Sequence, residues 1–248
     1  MFRSLGCFYP LGIDLSSTPV GHLGGILAHL LTMIFQDRQD AGLQLAACLR
    51  HLPLVNPVVL GIPRGGIMVG LEVACQFQVP LGVVLTRRLT SQKFPEVSFG
   101  AIGEEGVKVL DQATIGLMAI SDPEIIRAER EAQTELQRRI RDFRHGESLP
   151  SLAGKTVIVV DDGLATGLTA WAAIKVVRQH HPTQVIVAVP VASPTSVRKI
   201  QQWADAVVTV ATPPNFRSVG EWYGDFNPNL SETEVLAALT QANAPLNP

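Results

Sequence analysis

Val157-Ile158-Val159-Val160-Asp161-Asp162-Gly163-Leu164-Ala165-Thr166-Gly167-Leu168-Thr169 is the stretch that decides the fold. Four β-branched apolar residues in a row read as a short strand buried on both faces. Two carboxylates follow at its carboxyl end, where parallel α/β sheets gather their ligands. A small-residue loop then leads into an apolar helix from Ala170 to Val177. Such a loop offers free backbone N–H groups and the positive end of a helix dipole, and both favour a phosphate. Ionised carboxylates only accept hydrogen bonds, so Asp161 and Asp162 cannot hold that phosphate. They suit vicinal sugar hydroxyls or a divalent cation beside it. An Asp-Asp-Gly turn alone is commonplace at a strand end. The ordered combination of strand, acids, loop and helix is not, and it asks for a ligand with a phosphate, a ribose and Mg²⁺.

These residues resemble the signature of the type I phosphoribosyltransferases: four apolar residues, two acids, and a Thr-Gly loop closed by Thr or Ser. The resemblance extends over roughly residues 34 to 230. It implies an α/β fold, a three-layer sandwich with a mostly parallel central sheet plus a small hood and hairpin. Asp161 and Asp162 would bind the ribose 2′- and 3′-hydroxyls of phosphoribosyl pyrophosphate (PRPP), meeting Mg²⁺ only through those hydroxyls or water. Gly163, Leu164, Ala165, Thr166, Gly167, Leu168 and Thr169 would wrap the 5′-phosphate, with the Thr166 and Thr169 hydroxyls donating. The implied activity moves ribose 5-phosphate from PRPP to an unidentified base or amine, with Mg²⁺, and releases pyrophosphate. A sensor of the same fold that binds PRPP or a nucleotide without turnover is the alternative. A hydrolase acting on another phosphorylated sugar is a third reading, and no Gly-x-Ser-x-Gly elbow supports it.

A second motif, Gly61-Ile62-Pro63-Arg64-Gly65-Gly66, follows the first strand. Paired glycines at a strand-to-helix turn allow close backbone approach, and Arg64 adds a fork-shaped donor matched to phosphate oxygens. By resemblance, Pro63, Arg64, Gly65 and Gly66 hold the pyrophosphate. Arg87 and Arg88, read as ending the second strand, could neutralise charge growing on the leaving pyrophosphate. The loop from Thr90 to Glu96, with Lys93, would close nearby. The acceptor would lie under a hood in which Phe216, Trp222 or Tyr223 stacks on a planar base. Family members acting on 6-oxopurines carry an acid just before the Thr-Gly. Ala165 stands there, which disfavours hypoxanthine and guanine.

Composition fits an enzyme of this kind. With 248 residues, 46% hydrophobic and 17% charged, the chain can bury a full core. A net charge of −2 gives no general attraction to nucleic acid or anionic membrane. Cys7, Cys48 and Cys75 are widely spaced without Cys-x-x-Cys, which argues against a disulfide framework or zinc site and suits a reducing cytoplasm. No apolar run reaches membrane-spanning length. The expected assembly is a homodimer. Residues 1–32 read as a poorly ordered extension that contributes little to function. Family-like sequence begins near Met33, and Phe35-Gln36-Asp37-Arg38-Gln39-Asp40-Ala41-Gly42 resembles the opening of one uncharacterised branch of the family.

The remaining pattern predicts a helix from Asp40 or Gly42 to Arg50, strand Pro57–Leu60, helix Gly65–Gln76 and strand Leu81–Leu85. A hairpin of Val97–Ile102 and Val107–Leu110 follows, then a capped helix from Ser121 to about Phe143. After the central strand come strand Val185–Val191, helix Pro194–Trp203 and strand Ala206–Val210. Arg138, Arg139 and Arg144 read as a solvated helix face. His180 and His181 end the signature helix, and Trp171 and Trp203 read as packing residues.

Overall fold

The computed structural model describes residues 34–244 and the two-residue strand β1, Leu5–Gly6. The rest of the expected extension, residues 1–32, lies outside the described residues. Helix α1 (Arg38–Leu49) precedes β2 (Pro57–Gly61), α2 (Gly65–Phe77) and β3 (Leu81–Val83). Three strands then form a separate unit: β4 (Thr86–Thr90), β5 (Ser98–Gly103) and β6 (Lys108–Leu110). Helices α3 (Gln112–Leu117) and α4 (Asp122–Arg144) lead to β7 (Thr156–Val160) and α5 (Leu168–Gln179). Strand β8 (Gln184–Val191), α6 (Pro194–Ile200), β9 (Ala206–Ala211) and α7 (Glu232–Ala242) complete the order.

The main sheet runs β1-β9-β8-β7-β2-β3, and every pairing in it is parallel. Parallel strands buried on both faces need continuous apolar sequence, and β7 supplies it. Ile158 and Val160 join one core, with α1 and α2, while Val157 and Val159 join the other, with α5. The three-layer α/β sandwich is therefore present as expected.

The order of strands has one reversal. From β2 the chain moves outward to β3, whereas from β7 it moves the opposite way to β8 and β9. Loops leaving adjacent strands at such a reversal part to opposite sides and open a crevice. Gly61 and Val160 are register partners, so the two loops leave the sheet at the same level.

Thr86–Leu89 does not end the second strand. Strand β3 stops at Val83, and Thr86–Thr90 belongs to the antiparallel sheet β4-β5-β6. The break lies at Leu85, whose N–H donates to Glu104 Oε1 at 2.7 Å. Glu104 is 3% exposed, and its other oxygen pairs with Arg144 at the end of α4. The expectation of a solvated arginine face thus fails for two of its three members. The small sheet packs against α4, and both Arg139 and Arg144 are buried or nearly so. Only Arg138 stays open, shared among Glu135, Asp142 and Glu232. Burial also pulls the Arg144 guanidinium below its ordinary pKa.

Removing one partner of a buried ion pair strands the other charge at a cost of about 3 kcal/mol. Glu104→Gln should therefore lower Tm by roughly 6–12 °C. Adding Arg144→Met to it should recover part of that loss, since no unpaired charge remains. Thermal unfolding followed by circular dichroism checks both; a double variant no more stable than the single one would refute the ion-pair account.

Candidate active site

The crevice between β2 and β7 carries both sequence motifs. After β7, Asp161 Oδ1 accepts from the Asp162 N–H at 2.9 Å, a tight local turn that sets the two carboxylates side by side. Burial, and then the neighbouring Asp162, push the Asp161 carboxyl well above the ordinary carboxylate range; Arg38 and Arg88 pull the other way. One proton or one cation brought to this pair relieves that repulsion.

The loop beyond is shaped by its surroundings. Gly167 has φ 81° and caps α5, a conformation that excludes most side chains. The first-turn N–H groups of α5 have no intrahelical acceptor. The Ala165 carbonyl is turned away from the crevice onto α6, accepting from Ser193 Oγ at 3.1 Å and from Ser196 Oγ. Ser193 and Ser196 are contributors that the sequence reading missed. The helix cap at Ser193 and the Pro194 that follows it were the available signal.

After β2, the Pro63–Arg64 peptide is cis and α2 starts at Gly65. A Cβ on Gly65 would overlap the Asp162 carboxylate, and one on Gly66 would overlap the Val160 carbonyl. The two motifs, about a hundred residues apart, are thus in backbone contact. Arg64 donates from Nη1 to the Leu230 carbonyl, which ties the loop to the approach of α7.

Arg87 and Arg88 lie on β4 with exposed side chains. Partial desolvation of the guanidinium, then the charge of Arg139, draws the Arg87 pKa down, with Arg88 and Arg64 adding to it and Glu135 opposing. The charges of Arg139, Arg88 and Arg64 thus bear on Arg87, a positive setting suited to a multiply charged anion.

A hood closes on the acid turn. The segment before α1 is zipped to the one after the short 3₁₀ turn Gly220–Trp222. Phe35 N donates to Trp222 O at 3.1 Å, and Gly224 N donates to Phe35 O at 2.8 Å. Tyr223 sits inside this zip, 3% exposed, with its ring tilted against Phe35 and Phe226. Its hydroxyl donates to the Asp162 carbonyl at 2.5 Å. Tyr223 is therefore a buried prop for the acid turn rather than an open stacking face. Phe216 and Trp222 are partly buried in the same cluster.

The largest unforeseen contributor is Arg38, the first residue of α1. It lies 8% exposed against Asp162, with Nε and Nη2 at 2.9 and 2.8 Å from Oδ2. Its place in the family-like segment Phe35–Gly42 was the available signal. His180 pairs with Glu105 of the β5–β6 turn, and Trp171 stacks on Trp203 at 5.0 Å, both outside the crevice.

Comparison with known proteins agrees with this geometry. A phosphoribosyl transferase domain model matches residues 43–221. The chain is 43% identical over 210 residues to Rv0571c of Mycobacterium tuberculosis H37Rv, provisionally named as a phosphoribosyl transferase. The CDC 1551 strain's protein MT0597, named likewise, matches equally. The match takes in 85% of this chain and 47% of each relative, so the chain spans about half their length. The crystal structure of TT1426 from Thermus thermophilus superposes with TM-score 0.69 at 39% identity, covering 84% of this chain and 98% of that one. The loops at the strand reversal and the family model that spans them agree: the chain belongs to the phosphoribosyl transferase family.

Proposed function

We propose that this crevice binds PRPP and transfers its ribose 5-phosphate to a nitrogen nucleophile, releasing pyrophosphate. The observation that carries the reading is the contact of the glycine loop, at Gly65 and Gly66, with the acid turn at Asp161 and Asp162. PRPP carries a phosphate at one end of its ribose and a pyrophosphate at the other. Two anion loops flanking one pair of carboxylates match that layout.

In this reading the loop before α5 takes the 5′-phosphate on N–H groups between Ala165 and Thr169 and on the Thr166 and Thr169 hydroxyls; Leu164, expected among them, is buried with its N–H on the Val191 carbonyl. One oxygen of each acid meets the ribose diol. Pro63 to Gly66 takes the pyrophosphate, with the Arg64 donors not engaged by Leu230. Arg87 and Arg88 stabilise charge developing on the leaving group, while the ribosyl group passes through an oxocarbenium-like state held between the loops.

Mg²⁺ suits the hard oxygens of Asp161 and Asp162. Among the described residues no group of three or more His, Cys, Asp or Glu could hold a metal. Asp161 and Asp162 would meet the ion through the ribose hydroxyls or water, and the ion would neutralise pyrophosphate charge. Phe216 and Trp222 would be the hood residues that meet an acceptor. Ala165, where 6-oxopurine enzymes carry an acid, points away from hypoxanthine and guanine. No described helix is long and apolar enough to cross a membrane.

Asp161→Asn should weaken PRPP binding by at least tenfold, about 1.4 kcal/mol, without touching the Arg38 contact. Isothermal calorimetry with Mg²⁺ reads this, and unchanged affinity would rule out the ribose assignment. Asp162→Asn should also lower Tm, because it strands the buried Arg38 charge. Arg64→Ala should weaken PRPP about thirtyfold, roughly 2 kcal/mol, and leave a nucleoside 5′-monophosphate unaffected, since a monophosphate never reaches the pyrophosphate loop. Equal weakening of both ligands would make Arg64 a prop of the fold.

A further inference from the structure

An arginine facing a carboxylate ordinarily uses its fork to occupy both oxygens, one donor to each. Arg38 does otherwise. Its Nε and Nη2 both fall on Asp162 Oδ2, at 2.9 and 2.8 Å, and Oδ1 takes no hydrogen bond among the described residues. The guanidinium is fixed independently of that contact. Nη1 donates to the Asn227 carbonyl at 3.0 Å, and the group lies over the Phe226 ring at 4.2 Å from its centroid. Tyr223 holds the backbone of the same aspartate, and the absence of a side chain at Gly65 makes room for the pair.

We propose that Arg38 is the positioning residue for the ribose: it clamps one oxygen of Asp162 with two donors and so presents the other to a sugar hydroxyl. The inference rests on the reading of the crevice as a ribose 5-phosphate site. A free aspartate turns about two side-chain bonds and offers its oxygens in many directions. Clamped through Oδ2, it offers Oδ1 in one. Arg38 itself does not meet the sugar; its effect passes through Asp162. The Phe226 ring in turn keeps the guanidinium flat against the hood, so hood packing and sugar recognition share one side chain.

The test compares ribose 5-phosphate with 2,3-dideoxyribose 5-phosphate, which keeps the phosphate and lacks both hydroxyls. Affinities of the full chain are measured by displacement of PRPP in Mg²⁺ buffer. The native protein should favour the ribose form at least tenfold. Arg38→Gln should reduce that preference to under threefold while leaving the dideoxy affinity within twofold. A purely structural arginine would instead weaken both ligands alike, and that result would overturn the proposal. So would a preference that survives the substitution. Phe226→Leu, which keeps Arg38 but removes its platform, should lower the preference by about threefold. It decides the matter if Arg38→Gln does not fold, and an undiminished preference there refutes the clamp. A native protein with no preference for the ribose form would overturn the ribose assignment itself, and the inference with it.

Discussion

Backbone meets carboxylate at Gly65, and the site depends on that approach. Any side chain at this position would displace Asp162, and any at Gly66 would push against the end of β7. The constraint is older in the folding logic than the chemistry. Two adjacent parallel strands in register end at Gly61 and Val160, and the loops that leave them part at the strand reversal. Only residues without a Cβ let those loops diverge from nearly the same point and still enclose a small ligand.

Charge is then distributed around that point in two opposed groups. The acid pair sits at the floor, with Asp161 raised by burial and by its neighbour. Arginines come from separate elements: Arg38 from α1 and Arg88 from β4 act on the acid pair, and Arg64 of the glycine loop acts with Arg88 on Arg87 of β4. These elements are scattered along the chain, so the fold assembles the field from separate places. An anionic ligand carrying a neutral diol suits such a field better than a neutral or cationic one.

The central strands were legible because burial on both faces demands unbroken Val and Ile, a local property. The acid turn and both loops were legible for the same reason: each motif is contiguous. What escaped the sequence is set by distant partners. Leu81 to Leu89 reads as continuous strand, but Glu104, nineteen residues after Leu85, accepts the Leu85 N–H and splits it between two sheets. Arg139 and Arg144 look solvated on a charged helix until the small sheet covers them. Tyr223 looks like a free aromatic until Phe35 and Phe226 enclose it. Helix α7 went unread, although the Ser231–Glu234 capping box was a signal for its start. Helix α3 is six residues long and has no buried residue of its own, so no apolar period could announce it.

The zip between Phe35 and Tyr223 joins points nearly two hundred residues apart. During synthesis the parallel sheet can pair strand by strand as the chain emerges, since β7, β8 and β9 each find their neighbour already made. The strip around Phe35 has to wait for the segment that carries Trp222 to Asp225. Until then Arg38 lacks its aromatic platform and the acid turn lacks the Tyr223 hydroxyl. A nascent chain would thus hold most of its core before it could grip a ligand, and recognition would be the last property to arrive.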